Sequence, residues 1–241
     1  MENEKIKSGI QGFDTVLKGG LRKGVATLVT GSPGTGKTIF GIQFIVGGAK
    51  NNEPGLYIVS EESEEDLRNY SRSLGLELEK YEKNGLITIL RQPLAPKKLM
   101  SIAAPLSIIK SKKIQRVVLD SLTMFKYAYF PEEVSFRREV LSYISNMKKA
   151  GVTSLTISEK SLPHFDDIKY IDEDFVFDGV ILLTKIRKSS SYEHCITVQK
   201  MRGQDHLVDV FPYKIQKGGV IVYPDQLPFS LIEKDSAQFT K

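Results

Sequence analysis

Apolar positions in this chain fall into short continuous runs that alternate with longer segments of helical spacing. The runs Val25-Ala26-Thr27-Leu28-Val29-Thr30, Gly55-Leu56-Tyr57-Ile58-Val59-Ser60 and Arg116-Val117-Val118-Leu119-Asp120-Ser121, with others near residues 86–90, 153–158 and 179–185, read as strands. Their continuity fits strands buried on both faces, since a strand with one solvent face alternates at every second residue. Between them, Ile39, Phe40, Ile42, Phe44, Ile45 and Val46 form the apolar side of a helix predicted to begin near Thr35. Val134, Val140, Leu141, Ile144 and Met147 recur at helical spacing before Lys148, Lys149 and a stop at Gly151. Strands and helices in alternation predict an α/β fold with a mainly parallel central sheet flanked by helices on both faces. After residue 185 the pattern turns to strands near 194–201, 209–215 and 219–223 with short polar turns, which predicts a C-terminal antiparallel extension. Leu99 to Ile109 is apolar but short and broken by Pro105, so it reads as a core helix.

Candidate chemistry sits where the first of these strands meets its helix. Gly31-Ser32-Pro33-Gly34-Thr35-Gly36-Lys37-Thr38 matches the phosphate-binding pattern G-x-x-x-x-G-K-[ST]. Polyphosphate demands donors that approach closely, and glycines permit this because they lack a Cβ. Unpaired amides at the start of the following helix add a positive end, so a triphosphate is expected over Gly34 to Thr38, with Ser32 at its edge. Lys37 is expected to neutralise the β and γ oxygens, and the Thr38 hydroxyl to ligate Mg²⁺. Such a site needs a second oxygen ligand at a neighbouring strand end, and Asp120 fits. Hydrolysis also needs a group that orients or deprotonates water. Glu61 and Glu62 follow a strand directly; Glu61, nearer the strand, is expected ahead of Glu62. Ser63-Glu64-Glu65-Asp66 then resembles a capping box opening a helix.

Composition narrows the rest. At 241 residues the chain is expected to form one domain over 1–241, large enough to bury a core without staples. Thirty-four basic and 29 acidic residues leave a formal charge of +5, a mild excess spread over scattered lysines rather than a nucleic-acid track. The single cysteine, Cys195, excludes disulfides and thiolate metal sites and reads as a buried inert thiol. His164, His194 and His206 lack metal-ligand spacing. No apolar run reaches the roughly 18 residues of a membrane span, and Met1 to Lys5 carry no signal-peptide pattern, so no membrane association and a cytoplasmic location are expected.

Ser8-Gly9-Ile10-Gln11-Gly12-Phe13-Asp14, Gly19-Gly20-Leu21-Arg22-Lys23-Gly24, the 31–38 loop, Ser60-Glu61-Glu62-Ser63, Leu74-Gly75-Leu76, Val117 to Ser121, Asp178-Gly179-Val180-Ile181 and Lys200-Met201-Arg202-Gly203-Gln204-Asp205-His206 together span residues 6–224. In this combination the chain resembles the RecA superfamily of P-loop ATPases and, within it, the single-domain KaiC-like proteins of archaea. The resemblance implies a RecA-like, ATP-binding, Mg²⁺-dependent hydrolase that assembles as a homo-oligomer, usually a hexameric ring with nucleotide between subunits. In such a ring Lys200 and Arg202 reach the neighbouring subunit's γ-phosphate. Positions two apart on a strand share a face about 7 Å apart, which suits two cations on one phosphate. An alternative from the same superfamily is a DNA-binding accessory of recombination or repair, like RadA paralogues, using ATP as an assembly switch. The polar segment from Lys160 to Phe175 faces the strand in DNA-binding relatives. Here its acidic residues oppose phosphate contact, while Lys160, His164 and Lys169 leave some room for single-stranded DNA; a protein partner is the other expectation.

Overall fold

The computed structural model describes residues 4–92, 103–123, 133–160, 172–188, 190–229 and 231. A hairpin of β1 (Lys5–Ile6) and β2 (Leu21–Arg22) encloses the short helix α1 (Phe13–Val16). There follow β3 (Ala26–Gly31), α2 (Lys37–Lys50), β4 (Gly55–Val59), α3 (Glu64–Ser73), α4 (Leu78–Lys83), β5 (Ile87–Arg91), α5 (Ala103–Ser111), β6 (Arg116–Asp120), α6 (Glu133–Lys149), β7 (Thr153–Glu159) and α7 (Asp172–Val176). Four strands close the chain: β8 (Gly179–Lys188), β9 (Ser191–Met201), β10 (Phe211–Gln216) and β11 (Gly219–Val222).

Nine strands form one sheet in the order β11-β10-β9-β8-β3-β7-β6-β4-β5. From β5 to β8 every pairing is parallel, and from β8 to β11 every pairing is antiparallel, as the change of pattern after residue 185 predicts. Alternate residues of the parallel strands feed two cores. Tyr57, Val59, Val118, Leu155 and Ile157 join α2, α3 and α4 on one face. Leu56, Ile58, Val117 and Leu119 join α5 and α6 on the other.

Three details differ from the pattern-based reading. Helix α2 starts at Lys37, not Thr35, because Gly36 caps it with φ 84°, a left-handed conformation that no helix interior accepts. On α6, Val140, Ile144 and Met147 are buried but Leu141 is 46% exposed; it lies one position off their stripe, and Phe136 and Tyr143 complete the core instead. The polar segment after Lys160 includes the helix α7. Side chains of Val134, His164 and Lys169, and the start of the 99–109 run, lie outside the described residues; the part described, α5, is helical with Pro105 in its first turn, where its missing N–H costs nothing.

Candidate functional site

Strand β3 delivers the chain into the phosphate-loop segment at the carboxyl edge of the parallel strands. Gly31 lies so close to β8 that a Cβ there would stand 2.0 Å from the Leu183 carbonyl oxygen, so only glycine permits this exit. The loop is braced from both sides. The Thr35 hydroxyl donates to the Ser32 carbonyl (2.9 Å), and the buried Tyr213 hydroxyl of β10 donates to the Thr35 carbonyl (2.5 Å). Lys185 of β8 donates to the Pro33 carbonyl (3.3 Å). Lys37, in the first turn of α2, places its ammonium on the Gly31 and Ser32 carbonyls at 3.0 and 3.1 Å. Burial holds that ammonium below the usual lysine range, while Glu159, Asp120 and Glu61 act the other way.

Facing the loop is an acidic wall made from the ends of β4, β6 and β7. The Asp120 carboxylate accepts a hydrogen bond from the Tyr57 hydroxyl (2.8 Å) and faces the same cavity as Thr38. Burial raises its pKa above the ordinary aspartate value; the Tyr57 and Thr38 hydroxyls and the Lys37 charge offset part of this, and Glu61 adds to it. The Asp120–Ser121 peptide is cis. Ser121 donates through its hydroxyl to Glu61 (2.7 Å) and through its amide to the Ser60 hydroxyl (3.1 Å). Glu62 accepts from the Tyr70 hydroxyl of α3 (3.2 Å), its other oxygen is buried without a partner, and burial followed by the Asp120 charge raises its pKa. Helix α3 is fixed by the expected capping box, in which Ser63 and Asp66 each bond the other's backbone amide.

These groups enclose one cavity of about 290 Å³ whose lining includes Gly34, Gly36, Lys37, Thr38, Glu61, Glu62, Asp120 and Glu159. Ser32 and Thr35 brace the loop behind it. Sequence reasoning missed Tyr57, Tyr70, Ser121, Glu159 and Lys185. Glu159 ends a buried parallel strand just as Asp120 does, so the rule that singles out Asp120 applies to it equally. The others depend on which strands and helices lie side by side, which no local pattern states. Among the described residues, no group of three or more His, Cys, Asp or Glu side chains could hold a metal ion by itself. Thr38 and Asp120, two hard oxygen donors that line one cavity, fit Mg²⁺, which prefers few protein ligands together with waters and phosphates. Cys195 is buried, and burial pushes its thiol up to about 12, which makes it inert as a nucleophile.

Lys200 and Arg202 do not line this cavity. Both reach the C-terminal carbonyls of α7: Lys200 donates to Asp174 (2.9 Å) and Phe175 (3.4 Å), and Arg202 donates to Phe175 (3.0 Å). They therefore project to one side, as their spacing predicts. Gln204 fixes the turn that follows, accepting from the Arg22 amide (2.9 Å) and donating to the Leu17 and Gly20 carbonyls at 3.3 and 3.0 Å. Lys160 is buried against Asp174 (2.7 Å) and is not a surface cation that a nucleic-acid phosphate meets.

A family model described as "ATPase: KaiC" matches residues 6–227. The circadian clock oscillator protein KaiC of Prochlorococcus marinus subsp. pastoris is 34% identical over 233 residues, covering 92% of this chain and 46% of that protein. The circadian clock protein KaiC3 of Synechocystis sp. is 30% identical over 233 residues, covering 92% and 46%. The chain thus spans about half the length of the curated relatives it matches. The crystal structure of a KaiC-like protein from the hyperthermophilic archaeon Pyrococcus horikoshii superposes with a TM-score of 0.79 at 33% identity, covering 92% of this chain and 99% of that one. No helix among the described residues is long and apolar enough to cross a membrane.

Proposed function

The chain belongs to the KaiC family of ATPases, with the RecA-type fold, and we propose that it is a Mg²⁺-dependent ATP hydrolase whose site is completed by a second copy of itself. The observation that carries this reading is the convergence of Lys37, Thr38, Asp120 and Glu61 on one cavity at the carboxyl edge of the parallel strands. Loop amides from Gly34 to Thr38 and the Lys37 ammonium bind the β- and γ-phosphates of ATP. Thr38 and Asp120 would hold a Mg²⁺, which would supply positive charge to the phosphates. Glu61, oriented by Ser121 and assisted by Glu62, aligns a water and accepts its proton as the water oxygen attacks the γ-phosphorus. The bond to the β–γ bridging oxygen breaks, leaving ADP and inorganic phosphate.

Charge on the far side of the γ-phosphate falls to Lys200 and Arg202 of the adjoining subunit in a homo-oligomeric ring, read here as a hexamer. Their placement outside their own subunit's cavity supports this division. Such cations supply about 10³- to 10⁵-fold in rate, so an isolated subunit turns over very slowly and activity is gated by assembly, which suits a regulatory ATPase in the cytoplasm. Mixing Lys37→Ala with Arg202→Ala subunits tests the assignment. Hydrolysis is expected to recover at boundaries that join an intact pocket to an intact Arg202. Mixed rings that form yet stay as slow as either parent contradict it.

A further inference from the structure

Between the phosphate-loop segment and the two outlying cations runs one continuous set of contacts. The Lys160 amide donates to the Gly31 carbonyl (3.1 Å), and the Ser32 hydroxyl donates to the Lys160 carbonyl (3.4 Å), so its backbone is bonded to the loop on both sides. The residue before it, Glu159, lines the cavity. The Lys160 side chain, 8% exposed, crosses to Asp174 of α7, 2% exposed, at 2.7 Å. Asp174 and Phe175 then present the carbonyls that hold Lys200 and Arg202. These carbonyls lie toward the end of a five-residue helix, where the helix dipole favours cations.

Two charges taken out of water cost several kcal/mol, and a buried pair gains little stability over apolar residues of equal volume. What the pair does provide is a fixed distance between two elements. We propose that the Lys160–Asp174 pair is a positioning link: it ties the position of a subunit's own phosphate loop to the placement of Lys200 and Arg202 at the next subunit's nucleotide. A movement at Gly31 or Ser32 passes along a buried, directional contact to the carbonyls on which both cations rest. The inference rests on the reading that these cations act across the subunit boundary. It adds that the loop framework of one site holds in place the cations that serve the adjoining one, a link that Lys37→Ala leaves intact.

The test uses the full chain with both charges replaced, Lys160→Met/Asp174→Leu, because removing one alone leaves a buried charge that threatens folding. The double variant is expected to fold, to bind Mg·ATP in calorimetry within about threefold of the parent, and to lose at least about tenfold in kcat with little change in KM. A misplacement of about 1 Å costs losses of this order. Mixed with Lys37→Ala subunits, which keep intact Lys200 and Arg202, it is expected to regain turnover, with mixed rings verified by native mass spectrometry. Parental kcat in the double-variant ring overturns the proposal. A slow double variant that Lys37→Ala does not rescue, although the same partner rescues Arg202→Ala, also overturns it, since the pair then acts on its own pocket. Failure of the Arg202→Ala mixture as well removes the trans reading, and the link with it.

Discussion

The hydroxyl of Tyr57 donates a 2.8 Å hydrogen bond to the carboxylate of Asp120, across two neighbouring strands of the parallel sheet. The phenol is fully buried, so it fixes a carboxylate that burial alone disfavours in its charged form. Tyr57→Phe keeps the ring and removes only that donor. A hydrogen bond to a charged group contributes about 1.5–3 kcal/mol, so the Mg²⁺ concentration for half-maximal turnover is expected to rise at least about tenfold. An unchanged Mg²⁺ titration would remove Tyr57 from the site.

Asp120 also carries a stability signature. Its folded-state pKa lies above the unfolded value, so its contribution to stability is complete below the unfolded pKa, near 4, and is lost as pH rises through the folded one. Asp120→Asn removes that loss. Without nucleotide the variant is expected to melt about 2–4 °C higher than the parent at pH 8, for a gain of about 1 kcal/mol, with the gap closing toward pH 5. Its hydrolysis should be abolished at every pH. A variant that melts lower at pH 8 contradicts the assignment of burial as the dominant cause.

Glu61 and Glu62 divide along their surroundings. Glu61 is exposed to water and oriented by Ser121, whereas Glu62 is half-buried under Tyr70. Glu61→Gln is expected to lower kcat by about 10²- to 10⁴-fold with Mg·ATP affinity nearly intact, and Glu62→Gln by less. The reverse order would make Glu62, whose raised pKa suits a base, the group that takes the proton.

Because the proposed function takes Lys200 and Arg202 from a second copy, activity per subunit is expected to rise with protein concentration. Turnover measured across a dilution series, alongside mass determination, checks this. Constant specific activity down to the monomer would show that one chain suffices.

Much of this was legible from sequence. Continuous apolar runs located β3 to β7 within one residue and the start of β8, which runs three residues past its expected end, and Ser63 to Asp66 announced α3 through its capping box. Asp120 was legible because a carboxylate at the end of a buried strand requires a partner. The burial of Lys160 and Asp174 was not: a polar stretch with Pro163 reads as solvated, and only the meeting of β7 with α7 turns two of its charges inward. Nor was the role of Gln204, which binds residues 17–22, more than 180 positions earlier in the chain. Tyr57 looked like one more apolar strand residue, since its hydroxyl acquires meaning only once β4 lies beside β6.

The most direct test of the central claim is calorimetric titration of Mg·ATP into the folded protein and into Lys37→Ala. The account predicts saturable binding to the parent and a loss of at least about a hundredfold in affinity when the ammonium is removed, in line with the strength of charge-assisted phosphate contacts. Absence of heat with the parent, or equal binding by both proteins, would contradict it.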